Sequence, residues 1–160
     1  MNGTVEVVNH TRVPLDTRAV AELVEAVLAA EGTAGGEVGV TFVGARRMRA
    51  LNREHRGRDA VTDVLAFPLE DADGVPQGGT PSAPDAPPRL LGDVVVCARQ
   101  ALRQARAAGL PPEAELALLL VHGTLHLLGY DHEADAGRMA VRQTELLQTL
   151  PWERLRVAAR

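Results

Sequence analysis

The run PPEAELALLLVHGTLHLLGYDH, residues 111 to 132, leaves the chain little choice of local structure. Leu116, Leu119, Leu120 and then Gly123 to Leu127 continue an apolar stripe at helical spacing, and Pro111 and Pro112 stand where a helix tolerates proline, at its start. Gly129 is suited to the left-handed conformation in which helices commonly end. On such a helix His122 and His126 lie one turn apart on one face, and a chain that folds back after Gly129 brings His132 over the same point. Three of the chain's five histidines thus fall within eleven residues.

Three neutral imidazoles from a helix and its following turn form a half-shell for a borderline metal such as zinc, with a position left for water. The set contains no cysteine, and the only one in the chain, Cys97, reads as a small strand residue, so a closed structural zinc knot is not expected. Of the other two histidines, His10 reads as a strand-end residue and His55 as a helix-surface one. The spacing H-x-x-x-H-x-x-G-x-x-H is shared with metzincin proteases, but those place a glutamate directly after the first histidine as general base. Here that position is Gly123, so peptide hydrolysis by that route is disfavoured.

Patterning around this segment predicts an α+β domain. Residues 4 to 10 alternate as a strand, and Asp16 caps a helix with a stripe of Val20, Leu23, Val24, Val27 and Leu28. A second strand spans 37 to 44 and a short helix 45 to 55, with Arg46, Arg49, Arg53 and Arg56 on one face and Met48, Leu51 and Asn52 toward another. DVLAFP, 63 to 68, is a third strand ended by proline. GDVVVCA, 92 to 98, is a fourth, its continuous apolar run predicting burial on both faces. Between them, 71 to 89 is a flexible Pro/Gly-rich loop within one domain spanning 1 to 160, because half of the prolines fall there. Helices follow over 99 to 108, carrying Leu102, over the histidine segment, and over 134 to 149, with Met139, Val141, Leu146 and Leu147. The order predicts a single four-stranded mixed sheet covered by helices, with the metal site on a helix and its following turn.

No apolar run approaches the length of a membrane span, and the N-terminus lacks a basic start followed by an apolar stretch, so a cytoplasmic protein with no membrane partner is expected. A single cysteine agrees with a reducing compartment. The formal net charge is −4, which argues against general nucleic-acid binding, yet six of the arginines fall at 46, 47, 49, 53, 56 and 58. Such a stripe reads equally well as a solvated surface or as a contact for a polyanion.

HGTLHLLGYDH resembles the signature of the YbeY family of bacterial metal-dependent endoribonucleases involved in ribosomal RNA maturation. LNREHRGRDAVTDVLAFP and LLGDVVVCARQA resemble that family's two other characteristic segments, in matching order. His55 stands where the family usually has tyrosine, Val61 where proline is common and Ala66 where serine is usual. The resemblance implies that His122, His126 and His132 hold one Zn2+ per chain and that Arg56 is the functional arginine beside it. It implies a single-strand-preferring, zinc-dependent endoribonuclease that matures the 3′ end of small-subunit rRNA and serves ribosome quality control. Its partners would be ribosomal RNA, small-subunit proteins and assembly factors, with no DNA. A guanidinium can meet two oxygens of a phosphodiester under attack, which agrees with that role for Arg56. Arg46, Arg49 and Arg53 could then hold the RNA backbone. Thr62 and Asp63 could support the site, and Asp131 could orient a histidine by accepting its second N–H or could simply cap the turn. With few aromatic residues to stack on splayed bases, weak sequence preference in isolated RNA is expected.

Two other readings compete. One is a ribosome-assembly protein whose metal is mainly structural; removing the metal would then unfold it. The other is a metal-dependent hydrolase of a different bond. Gly123 disfavours peptides and the arginine cluster favours a polyanion.

Overall fold

The computed structural model describes residues 5–69, 89–131 and 136–157. Its elements run β1 (Val5–Asn9), α1 (Thr17–Ala30), β2 (Glu37–Val43), α2 (Ala45–Arg56), β3 (Val64–Pro68), β4 (Leu90–Cys97), α3 (Ala98–Ala108), α4 (Pro112–Leu127) and α5 (Arg138–Thr149), followed by a short 3-10 helix, Trp152–Leu155. The expected order of strands and helices is therefore observed. The expected loop at 71 to 89 lies outside the described residues except for Arg89, whose carbonyl accepts the backbone N–H of Glu37.

The four strands form one sheet in the order β1-β2-β4-β3. β1, β2 and β4 are parallel, and the edge strand β3 runs antiparallel to β4, pairing Val64 with Val96 and Pro68 with Gly92. The pleat sends successive residues to opposite faces. Val38, Val40, Phe42, Val94 and Val96 pack under α1 and α4 together with Val20, Leu23, Val24, Leu116 and Leu120. On the other face, Val43, Leu65, Val95 and Cys97 meet Met48 of α2. α2 and α4 thus sandwich the sheet, and β3 is the edge that both approach.

Local chemistry explains the element ends. The Asp16 carboxylate accepts the Ala19 N–H at 3.0 Å and starts α1. Gly57, at φ +70°, ends α2. In β4 the pairing with β2 slips by one residue at Leu91, and Gly92, at φ +138°, lies so close to β3 that a Cβ would sit 2.3 Å from the Phe67 carbonyl oxygen. The fourth strand is buried on both faces as expected except at Asp93 and at its first residue, Leu90, which are exposed.

Three features differ from what the sequence predicts. α5 starts at Arg138, because Ala136 (φ +56°) and Gly137 (φ +88°) turn the chain before it; the expected start at 134 lies outside the described residues. Val141 is 61% exposed and lies off the buried stripe, which Met139 and Leu146 form. α3 turns Ala98, Ala101 and Ala105 inward, and Leu102 packs half-buried against the same core. The 3-10 helix was not expected; it buries Leu155 in the main core, alongside α4.

Candidate metal and RNA site

α4 is buried almost all round, as befits a central helix. From Glu115 to Leu127 every residue is buried except Leu118, His122 and His126, which recur every four positions and form its one open line. The two imidazoles meet edge to face, with centroids 4.7 Å apart and an interplanar angle of 82°.

The end of the helix sets the second ring. Gly129, at φ +98°, donates its N–H to the His126 carbonyl, and Tyr130 donates its N–H to the Leu125 carbonyl. This is a Schellman turn, sealed by the contact of Tyr130 with the cluster that contains Leu125. It lays the Tyr130 carbonyl oxygen 3.0 Å from His126 Nδ1. A carbonyl oxygen only accepts, so Nδ1 carries the proton and the ring's lone pair is on Nε2. His122 Nδ1 lies 3.0 Å from Gln143 Oε1 of α5, which sets the same tautomer. A pair of imidazoles with oxygen acceptors on Nδ1 and lone pairs on Nε2 is the arrangement that zinc-binding histidines show. The donor chemistry of His122 and His126 fits zinc. His132 lies outside the described residues, and among the described residues no group of three His, Cys, Asp or Glu is placed to hold a metal.

Gly123 has a structural reason to lack a side chain. A Cβ there would lie 2.7 Å from Val94 Cγ1 and 3.4 Å from Val64 Cγ2, so this position faces the sheet, where α4 lies directly on β4 and β3. A glutamate at this position would be driven into the core.

The other residues singled out from the sequence are distributed around this centre. Arg49 grips Asp59 with two hydrogen bonds, of 2.7 and 3.0 Å, and Arg53 reaches the same carboxylate at 3.5 Å. The Arg49 hydrogen bond holds the Asp59 carboxyl below its usual range, and the same bond raises the Arg49 guanidinium. Arg46 and Arg56 are exposed and have no ion pair with a described carboxylate. Arg56 ends α2 on the side of the sheet away from α4, and among the described residues no hydrogen bond or ion pair joins it to His122 or His126. Thr62 bonds Asp63, and Asp63 binds the Val64 N–H and Gln104, which also donates to Glu115 of α4. These bonds tie the start of β3 to α3 and to the first turn of α4, and reach neither histidine. Asp131 is exposed just beyond the turn.

Gln143, Tyr130 and Glu31 were missed by sequence reasoning, because nothing in spacing or composition links α1 and α5 to the histidine turn. A cavity of ≈ 670 Å³ beside α2 was missed as well; His10, Arg47, Leu51, His55, Phe67 and Asp93 line it. His10 follows β1 as expected, and His55 is exposed on α2 as expected, though its ring also meets Phe67 edge-on at 4.9 Å.

A mixed sheet with a histidine-bearing helix on one face and an arginine-bearing helix on the other defines a class of small α+β protein with a candidate metal centre. Residues 6–151 match the family model described as Endoribonuclease YbeY. The chain is 43% identical over 151 residues to an endoribonuclease YbeY of Chloroflexus aurantiacus, covering 92% of this chain and 95% of that one. It is 52% identical over 123 residues to one from an Anaeromyxobacter strain; the match covers 76% of this chain and 58% of that relative's length. The solution structure of a Thermotoga maritima protein superposes with a TM-score of 0.60 at 26% identity, covering 90% of this chain and 87% of that one. The chain belongs to the endoribonuclease YbeY family.

Proposed function

We propose that the protein is a zinc-dependent endoribonuclease that prefers single-stranded RNA and acts in ribosomal RNA maturation, at the small-subunit 3′ end, and in ribosome quality control. The observation that carries this reading is the pair of contacts at 3.0 Å that His126 Nδ1 makes with the Tyr130 carbonyl and His122 Nδ1 with Gln143 Oε1, which favour the tautomers that leave both Nε2 lone pairs for a metal. With His132 they would hold one Zn2+ per chain. When bound there, zinc supplies Lewis acidity toward a phosphate oxygen or a water.

The chain's own residues then bind and position RNA. β3 is the edge strand, with Gly123 of α4 against Val64 on one face and His55 of α2 against Phe67 on the other. A strand of RNA crossing this edge meets the histidines on one side and the end of α2 on the other. Arg56, whose charge no described carboxylate offsets, would meet two oxygens of the phosphodiester as negative charge gathers on them. Arg46 would hold the backbone, and Arg49 and Arg53 contribute less because Asp59 offsets their charge. Small-subunit proteins and assembly factors would direct the enzyme to its substrate in the cytoplasm. No helix among the described residues is long and apolar enough to cross a membrane.

The test is cleavage of precursor small-subunit rRNA by zinc-loaded protein, with Arg56→Ala and His126→Ala purified identically. Loss of cleavage in both variants, each still folded, supports the assignment. Equal cleavage by all three would trace the activity to a contaminant or another site.

A further inference from the structure

The two histidine side chains of α4 are held from outside by groups that come from both ends of the chain. Gln143 of α5 accepts the Nδ1 proton of His122 directly. His126 is held at one remove: its Nδ1 proton is taken by the Tyr130 carbonyl, and the Tyr130 phenol donates to Glu31 Oε1 at 2.7 Å. Glu31 caps the end of α1 and is gripped through its other oxygen by Arg142, the neighbour of Gln143 on α5. The Glu31 side chain is only 10% exposed, so the phenol and guanidinium satisfy a carboxylate largely removed from water. Adjacent residues of α5 thus serve the two histidines by separate routes.

We propose that Gln143 and Glu31 are positioning residues for the metal ligands: Gln143 fixes the tautomer and ring plane of His122, and Glu31 fixes the Tyr130 turn whose carbonyl does the same for His126. The inference rests on the zinc reading above. An imidazole without its outer acceptor can rotate or take the other tautomer, and both changes remove Nε2 from the metal. Losing such a partner lowers metal affinity by about 10–100-fold. Gln143 is the cleaner test, since it is half-buried, touches the ring directly and lies outside the Glu31–Arg142 ion pair.

Zinc affinity is measured on the full chain by competition with a chromophoric chelator at pH 7, and cobalt(II) is added to record the ligand-field bands. Gln143→Leu keeps the bulk but removes the acceptor; it is expected to lose about 10–100-fold in affinity and to alter the cobalt spectrum, with the metal-free melting temperature little changed. Gln143→Glu restores an acceptor and is expected to bind zinc at least as tightly as the parent. Glu31→Gln, which frees the turn more gently, is expected to weaken binding by less. Wild-type affinity and an unchanged cobalt spectrum in Gln143→Leu would overturn the proposal while leaving the zinc site standing. Equal loss in the Leu and Glu variants would also overturn it, by showing a packing role. Failure of the parent protein to bind zinc at all would instead overturn the zinc reading, and this proposal with it.

Discussion

Gly123→Glu puts back the carboxylate that proteases of the same histidine spacing carry, and the structure makes it a destabilising change. The Cβ alone would lie 2.7 Å from Val94 Cγ1, and Val94 is fully buried on the central strand. Overpacking of this kind costs about 1–3 kcal/mol. Burying the neutral carboxyl without a partner adds about 1–3 kcal/mol. Burial also raises the folded-state pKa of the introduced group above its unfolded value near 4.3. A group with a raised folded pKa costs most above that pKa, and the cost fades as pH falls. Keeping the proton on in the folded state costs about 3.7 kcal/mol at pH 7 and about 1 kcal/mol at pH 5. The sum at pH 7, about 6–10 kcal/mol, rivals the whole stability of an ordinary domain, about 5–15 kcal/mol. Gly123→Gln has nearly the same shape and no titration, so urea unfolding of the two variants at pH 5, 6 and 7 isolates the charge. The gap between them is expected to shrink by about 2.7 kcal/mol from pH 7 to pH 5. Equal midpoints at every pH, close to the parent's, would mean that position 123 faces solvent and that the helix is rotated from the orientation described.

Asp59→Asn frees two guanidinium groups from one carboxylate, so binding to single-stranded RNA should strengthen and its salt dependence steepen by about one phosphate contact or more. Filter binding from low to moderate salt measures this, and an unchanged slope would show that Arg49 and Arg53 face away from the RNA. Cys97 is fully buried in β4 and burial pushes its thiol pKa up, so a thiol reagent at neutral pH should leave the native protein unlabelled and react on unfolding in urea. Rapid labelling of native protein would contradict the packing of β4 against α2.

Much of the scaffold was legible in the chain because its signals are local. The Asp16 cap, the proline start of α4 and the glycine after it depend on neighbours within a few residues, and the structure shows each of them at work. The edge position of β3 and the exposure of Asp93 were not legible, since alternation does not reveal which strand lies beside which. The arginine stripe was visible as a stripe. That Asp59 would engage Arg49 and Arg53, and leave Arg46 and Arg56 unengaged by any described carboxylate, depends on how the chain turns after Gly57. The histidines could be read from spacing alone, whereas Gln143 beside His122, and Glu31 and Arg142 behind the Tyr130 turn, come from α5 and the end of α1, far from the histidines in sequence.

X-ray absorption at the zinc edge of the zinc-loaded protein, with its metal content, bears most directly on the central claim that the helix and its turn hold one catalytic metal through imidazoles. The expected result is one zinc per chain with nitrogen and oxygen neighbours at about 2.0–2.1 Å and the multiple-scattering pattern of three imidazoles, lost in His126→Ala. A sulfur neighbour at about 2.3 Å, or stoichiometric zinc that persists unchanged in His126→Ala, would place the metal elsewhere and contradict the account.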